Sequence, residues 1–309
     1  MKKLILPIVG VLIINMATST YADIYYEFSA YSGPGSEYDV DSYGNTIYYG
    51  AGTQVYAVDV SIADMTKKDE PYYLADGVTL NTNYQKRTFS NNRHIDLTGA
   101  PKNLYGGSWG EMYVDSDYIY TLGYDDGAVY AFNRTTGAYS HTAFAGGPST
   151  IGDGWGNASF LGYGGGKWWL GNEDREVYSS SSGGWVFEFP WNDMTPGVGG
   201  LDHGDGMEYV NGHVFVSDMT SNHIAMWDYD GTDWVEAKVF DYDEIFGGTA
   251  KYVEGMGFGA LDHFWAGSGS HIYELGGGSI QNYIVPVPGA VLLGLLGLGA
   301  AGMKLRRFA

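Results

Sequence analysis

The chain has 309 residues and a formal net charge of −20, with 36 acidic against 16 basic residues. An excess of negative charge of this size argues against binding to nucleic acid or to anionic membrane surfaces, both of which attract basic proteins. The chain has no cysteine, so disulfides cannot stabilise it. Its stability must come from a hydrophobic core, from a bound metal, or from both.

Residues 1–22 have the features of an export signal. Two lysines precede an apolar stretch at residues 4–14, and the residues at positions 20 and 22 are small. This pattern predicts cleavage before Asp23. An uncleaved membrane anchor is the alternative, although the apolar stretch is short for one.

The body of the chain repeats a pattern of strand, turn, strand, loop and strand. In one copy a strand at residues 206–210 turns at Asn211-Gly212 into a second strand, and a third follows at residues 224–228. Other copies have their third strands at residues 55–58, 128–132, 185–189 and 271–275. A period of about 40–50 residues with three or four strands per unit predicts an all-β fold of the β-propeller type. A β-sandwich would give alternating strands without this period.

Five units are recognisable, so we expect residues 23–284 to form one propeller domain with five blades. Residues 65–108 hold about two dozen more residues than the other connections, and they form either an inserted hairpin or a degenerate sixth blade. Residues 24–28 precede the first unit. We expect them to form the outer strand of the last blade, which would close the ring and remove a free sheet edge.

Polar residues recur just before the inner strands, at one end of the predicted central channel. Aligning the units gives Asn157, Asp205 and Glu254 equivalent positions, and Glu37 lies close to that position in the first unit. Carboxylate and amide oxygens that converge on one axis are the ligands that Ca²⁺ or another divalent cation prefers. The alternative is that these residues only form turns, since Asp-Gly and Asn-Gly pairs are common in turns.

Trp109 and His203 are candidates for contact with a ligand at the same end of the channel. An exposed indole ring can stack on a sugar ring, whereas a buried one belongs to the core. Three further tryptophans lie within predicted strands and are expected in the core: Trp168, Trp169 and Trp265. The sequence has no zinc-type spacing of histidines, so a zinc site has no local support.

Residues 35–41 and 44–49 resemble the opening blade of the gluconolactonase-like propellers, and Asp205-Gly206-Met207 resembles a later blade of that family. The resemblance implies that Glu37, Asn157 and Asp205 hold a divalent metal and that Asp205 acts as the base towards a lactone or ester. The family's Glu-Gly-Pro opening is Glu37-Tyr38-Asp39 here. Non-enzymatic propellers of the NHL-repeat type share the strand–turn–strand pattern, so a binding role is the other interpretation.

Residues 285–309 combine a proline-broken turn, an apolar stretch and a basic end. Pro286 and Pro288 precede the apolar residues 289–303, and Arg306 and Arg307 follow. As a helix the stretch is about 22 Å long, so it spans a ~30 Å hydrocarbon core only with its flanking residues. The tail resembles the PEP-CTERM sorting signals of Gram-negative bacteria, although Val287 replaces the usual glutamate. The resemblance implies processing by an exosortase, and a C-terminal anchor without processing is the alternative.

Without the two end segments the body keeps 11 basic and 36 acidic residues, a formal charge of −25. We therefore carry two hypotheses. In the first, the protein is exported through the inner membrane, held briefly by its C-terminal helix and released to the cell surface or the extracellular space. There it binds Ca²⁺, a polysaccharide or another small ligand. In the second, it is a metal-dependent hydrolase of a lactone or ester that uses Asp205.

Overall fold

The computed structural model describes residues 24–34, 39–51, 53–74, 77–104, 112–123, 126–147, 158–172, 176–181, 184–191, 204–218, 222–242, 253–268 and 271–284. Nearly all of the regular structure in these residues is β-strand. The strands form five groups of four, which we call blades 1 to 5 in the chain order of their inner strands.

Each blade runs outward from its inner strand. Blade 1 consists of β2 (Asp39–Tyr43), β3 (Thr46–Ala51), β4 (Gln54–Ser61) and β5 (Thr88–Asp96). Blade 2 consists of β6 (Met112–Val114), β7 (Tyr118–Leu122), β8 (Val129–Asn133) and β9 (Tyr139–Phe144). Blade 3 consists of β10 (Ala158–Gly164), β11 (Lys167–Asn172), β12 (Glu176–Ser181) and β13 (Gly184–Pro190). Blade 4 consists of β14 (Gly204–Val210), β15 (His213–Asp218), β16 (His223–Tyr229) and β17 (Trp234–Tyr242). Blade 5 consists of β18 (Met256–Phe258), β19 (Phe264–Ser268), β20 (His271–Gly276) and the N-terminal strand β1 (Ile24–Tyr31).

The five inner strands close a ring. Strands β2, β6, β10, β14 and β18 contact one another in this order, and β18 also contacts β2. The blades therefore surround a central channel, and the body is a five-bladed β-propeller, as the sequence repeat predicted.

Strand β1 completes blade 5. It pairs antiparallel with β20, with Ala30 opposite Tyr273, which confirms the expected outer strand. It also pairs in parallel with β17 of blade 4 at Ile24 and Tyr25, so it joins two blades in one eight-stranded sheet. The Ile24 N–H donates to Ser279 Oγ at 2.6 Å, which fixes the start of the body beside its last residues. The strand covers an edge that would otherwise be free to pair with another chain.

Residues 62–87 form an insertion within blade 1, between β4 and β5. Its described residues include a 3₁₀ turn, Met65–Lys67, and an isolated β-bridge between Tyr73 and Leu80. Strand β5 then returns to pair with β4. Of the two alternatives for residues 65–108, the residues that the structure describes form an inserted segment and the outer strand of blade 1, and they contain no sixth blade.

The prediction for blade 3 was wrong in one strand. Residues 185–189 were expected to form the third strand, but they belong to β13, the outer strand, and the third strand is β12. The sequence of β12, Glu-Val-Tyr-Ser-Ser-Ser, has few apolar residues to signal a strand. Its three serines nevertheless lie in a paired strand, because neighbours on both sides bond to its backbone.

Aromatic side chains fill the spaces between neighbouring blades. The Phe189 ring of blade 3 stacks on Trp227 of blade 4 with the centroids 4.5 Å apart, and Phe215 of blade 4 meets Phe264 of blade 5 at 5.1 Å. The tryptophans predicted to be core residues are buried, which confirms that prediction: Trp168, Trp169 and Trp265. Packing between blades therefore supplies much of the hydrophobic stabilisation of the ring.

A short helix, α1 (Gln281–Ile284), follows blade 5. The Asn211 side-chain amide donates to the backbone carbonyl of Tyr283 at 3.1 Å and to that of Ile284 at 2.8 Å. The Ile284 side chain is fully buried. None of the helices in the described residues has the length and apolar character needed to cross a membrane. The predicted export signal and the predicted sorting tail lie outside these residues.

Candidate functional site

Acidic residues gather where the inner strands of blades 1, 4 and 5 begin. Asp39 is the first residue of β2, Asp205 is the second residue of β14, and Glu254 lies two residues before β18. The segments of blades 4 and 5 lie side by side, since a Cβ atom at Gly206 would be 2.5 Å from the Met256 nitrogen. We call this end of the channel the mouth.

The carboxyl groups at the mouth influence one another. Asp39 is buried, and its pKa is raised well above the ordinary value by burial and then by the negative charge of Asp205. These two residues belong to blades 1 and 4, which are not neighbours in the ring. The mouth is thus narrow enough for carboxyls from separate blades to repel each other. A proton or a cation bound there reduces this repulsion and lowers the free energy of the folded state.

The predicted site residues are only partly described. Asp205 and Glu254 lie at the mouth, whereas the other candidate ligands and contacts lie outside the described residues: Glu37, Asn157, Trp109 and His203. Within the described ranges, no three His, Asp or Glu side chains form a group that could hold a metal ion. Two of the four proposed ligands are not among these ranges, so the metal site stays a prediction, as does the hydrolase interpretation.

A second pair of carboxyls, Asp41 and Glu208, lies deeper in the channel and was not singled out from the sequence. Their exposed fractions are 1% and 6%, and the two side chains are hydrogen-bonded to each other. Because β2 and β14 are not adjacent in the ring, this axial pair crosses the channel. The sequence signal was the alternation of Asp39 and Asp41, which puts both side chains on one face of a strand.

The axial pair also binds the backbone of neighbouring blades. Asp41 accepts hydrogen bonds from the Ser42 N–H at 2.6 Å and from the Val114 N–H of blade 2. Glu208 accepts hydrogen bonds from the N–H groups of Tyr209 and of Phe258 in blade 5. Each carboxyl therefore joins its own inner strand to the inner strand of the next blade and satisfies N–H groups that would otherwise be buried without a partner.

The axial pair retains a proton at neutral pH. Burial raises the pKa of Asp41 to about 8, although the N–H groups of Ser42 and Val114 oppose this shift. Burial, followed by the charge of Asp41, raises the pKa of Glu208 well above its ordinary value. The proton belongs to the pair, which holds it in the hydrogen bond between the two carboxyls. A Cβ at Gly257 would lie 2.3 Å from the Asp41 Cα, which shows how closely blade 5 approaches the pair.

The insertion docks on blade 5 through a separate group of charged and polar residues, three of which are buried. Arg87 donates to both oxygens of Glu274, with Nε 2.7 Å from Oε2 and Nη2 2.8 Å from Oε1. His263 lies between two carboxylates, with Nδ1 2.7 Å from Glu274 Oε1 and Nε2 2.8 Å from Asp69 Oδ1. Ser29 of β1 donates to Glu274 Oε2 at 2.6 Å. We call Asp69, His263, Glu274 and Arg87 the ion cluster.

The ion cluster is built to hold charge rather than to transfer protons. Burial by itself would raise the pKa of Glu274, but the hydrogen bonds and charges of His263 and Arg87 outweigh it, and the pKa is lowered. Both ring nitrogens of His263 lie within hydrogen-bond distance of carboxylate oxygens, and the side chain is fully buried, so neither nitrogen faces solvent. The sequence could not reveal this cluster, because its members come from the insertion and from blade 5, far apart in the chain.

The sequence matches no protein-family model and no curated protein. Similar solved structures include the glutaminyl cyclase of Myxococcus xanthus, which is 10% identical over 82% of this chain and 96% of that chain with a TM-score of 0.48. A streptogramin B lyase is 11% identical over 77% of this chain and 64% of that chain with a TM-score of 0.38. Identities and TM-scores this low carry no argument about activity. The assignment as a propeller rests on the five blades themselves.

Proposed function

We propose that this chain is an exported, acidic β-propeller that is sorted to the cell envelope or the exopolysaccharide and binds a divalent cation or a small extracellular ligand at its mouth. The observation that carries the proposal is the way the ring closes. Strand β1 begins at Ile24, directly after the predicted cleavage before Asp23, and α1 ends at Ile284, directly before the predicted tail. The strands that close the ring therefore use no residue of the two segments assigned to export and sorting.

The two ends of the body hold each other beside blade 5. The Ser279 N–H donates to the backbone carbonyl of Ile24 at 3.0 Å, and the Ile24 N–H donates to Ser279 Oγ at 2.6 Å. Removal of residues 1–22 or 285–309 would break none of these bonds. This arrangement supports a body that stays folded after both end segments have been processed.

The chemistry of the channel supports binding at the mouth over turnover within it. Asp39 and Asp205 repel each other there, and a divalent cation would remove that repulsion while using the carboxylate oxygens that Ca²⁺ prefers. Below the mouth, the axial pair is already committed to backbone N–H groups of blades 2 and 5. Its carboxyls therefore serve the fold, and no base for a lactone or ester is needed in this proposal.

The delivery part of the proposal is tested by the mass of the mature protein. The full chain is produced in a Gram-negative host with an exosortase and in the same host without it, and the envelope and medium are analysed by mass spectrometry. We expect an N-terminus at Asp23 in both hosts and loss of the tail only where the exosortase is present. A variant with Arg306→Gln and Arg307→Gln should keep its tail. Recovery of an unprocessed chain from the cytoplasm of both hosts would contradict the proposal.

A further inference from the structure

A cleft between blades 1 and 2 concentrates positive charge on an otherwise acidic body. It encloses about 770 Å³ and is bordered by the β2–β3 turn and β5 of blade 1 and by the β8–β9 turn of blade 2. A volume of this size is within the usual range for small-molecule sites. Arg93 and Arg134 both line it, whereas Arg87, the other described arginine, belongs to the buried ion cluster.

The two arginines of the cleft differ in their partners. Arg93 forms an ion pair with Asp59, with Arg93 Nη2 3.1 Å from Asp59 Oδ1. The Thr46 hydroxyl also donates to Asp59 Oδ1 at 2.7 Å. Arg134 forms no ion pair with any carboxylate in the ranges that the structure describes. Its guanidinium carbon lies 4.7 Å from the centroid of the Tyr43 ring. Arg134 is therefore the positive charge of the cleft that is available to a ligand.

The contact with the Tyr43 ring positions the Arg134 guanidinium for an acceptor in the cleft. A guanidinium group that stacks through its face keeps its edge N–H groups for hydrogen bonds, and two parallel N–H groups match the two oxygens of a carboxylate. The Tyr43 side chain is 40% exposed, so part of the ring is accessible from solvent. A ligand with a carboxylate and an apolar ring face is complementary to both residues.

The remaining lining is rich in hydroxyl groups. Thr46, Tyr48 and Thr135 all border the cleft, beside the Asp59 carboxylate that pairs with Arg93. The Thr46 hydroxyl donates to Asp59 and is left as an acceptor for a sugar hydroxyl, whereas the Thr135 hydroxyl can both donate and accept. One available guanidinium matches one carboxylate, and the body charge of −25 disfavours long polyanions of any kind, so we expect a short ligand. An acidic sugar carries only one charge on each ring.

We propose that this cleft binds a carboxylate-bearing sugar, with Arg134 holding the carboxylate and Tyr43 lying against the sugar ring. The cleft is separate from the mouth. Asp39 begins β2 and Tyr43 ends it, and four residues of extended strand span about 13 Å. The inference therefore does not depend on whether the mouth binds a cation, and either can fail without the other.

The test measures binding of a short galacturonic-acid oligosaccharide to the full chain by titration calorimetry. Its methyl ester, which keeps the rings and removes the charge, should bind at least about tenfold more weakly. Arg134→Gln should weaken binding of the acid by a similar factor, while Arg134→Lys, which keeps the charge but loses the parallel N–H groups, should weaken it less. Lys238→Gln removes the same charge from blade 4 and should leave binding unchanged.

Several results would overturn the assignment. These are no binding of the acid at millimolar concentration, equal binding of the acid and its ester, or unchanged affinity in Arg134→Gln. If Arg134→Gln fails to fold, as judged by its melting curve, the affinity of Arg134→Lys decides, and an unchanged value there counts against the proposal. A tetraglutamate peptide that binds as tightly as the oligosaccharide would show that the cleft selects acidic peptides instead.

Discussion

Glu274 of the ion cluster is buried as deeply as the axial pair, yet Glu274 is ionised while the axial pair retains a proton. Asp41 and Glu208 have raised pKa values, whereas Glu274 has a lowered one. The difference lies in the partners, since Glu274 faces a guanidinium group and an imidazole ring, while Asp41 and Glu208 face backbone N–H groups and each other. Burial sets the cost of a charge, and the neighbours decide whether the charge is kept.

The two groups therefore give stability opposite dependences on pH. In the axial pair, the folded state holds protons that the unfolded chain releases above about pH 4, so stability falls as pH rises towards about 8. In the ion cluster, the unfolded chain binds a proton at Glu274 that the folded state does not, so stability falls as pH drops below about 4.5. The free energy of unfolding should therefore be highest in mildly acidic solution, between these two pH ranges.

The largest expected effect comes from removing the cation of the ion cluster. Arg87→Met keeps most of the side-chain volume but leaves the buried Glu274 carboxylate with less positive charge around it. Breaking a buried ion pair from one side typically costs about 3–5 kcal/mol. We expect a loss of this order in the free energy of unfolding at pH 7, measured by urea denaturation.

The matched control is Arg93→Met in blade 1. Its ion pair with Asp59 is partly exposed, with side-chain exposures of 42% and 31%, so we expect a loss below about 1 kcal/mol. Equal losses in the two variants would show that the charge of the ion cluster contributes no more than a surface pair does.

The next effect comes from replacing the proton of the axial pair. Glu208→Gln replaces one titrating carboxyl of the pair with an amide, whose N–H can donate to Asp41 at every pH. One proton held only by the folded state changes stability by about 1.4 kcal/mol per pH unit. The variant should therefore lose less stability than the wild type between pH 6 and pH 8, by roughly 2 kcal/mol in total.

Urea denaturation at several pH values checks this expectation. Asp233→Asn, at an exposed residue of the β16–β17 turn, serves as the control and should keep the wild-type slope. A Glu208→Gln slope equal to that of the wild type would mean that Glu208 holds no extra proton in the folded state, contrary to its raised pKa.

The comparison also shows what the sequence could predict. The turn at Asn211-Gly212 and the regular spacing of apolar strands predicted the blades, and the residues at positions 24–28 predicted the closing strand, because each signal is local. Blade 3 was misread at β12, where serines hide a paired strand. The insertion at residues 62–87 was seen as extra length, but its docking site on blade 5 was not predictable from spacing.

The buried charges were harder to predict for a related reason. Asp41 and Glu208 meet across the channel, and Arg87 of the insertion meets Glu274 of blade 5. The two residues of each pair are more than a hundred positions apart in the chain. The sequence showed which strands face the axis, and it pointed to Asp205 and Glu254 at their beginnings. It did not show how far the channel narrows below them, which depends on close approaches such as that of Gly257 to Asp41.

The smallest expected effect concerns the mouth, where a buried carboxyl faces another carboxyl, as in the axial pair, but could gain a cation, as Glu274 has in the ion cluster. Asp39 is buried like the axial pair and faces Asp205, so an added cation should supply what Arg87 supplies to Glu274. At ten times its dissociation constant, Ca²⁺ should stabilise the folded state by about 1.4 kcal/mol and raise the melting midpoint by roughly 3–5 °C. Asp205→Asn should lose this rise, whereas Asp233→Asn should keep it. If the wild-type midpoint does not change at millimolar Ca²⁺, or if Asp205→Asn shows the same rise, the carboxyls at the mouth are balanced by protons and the cation proposal is wrong.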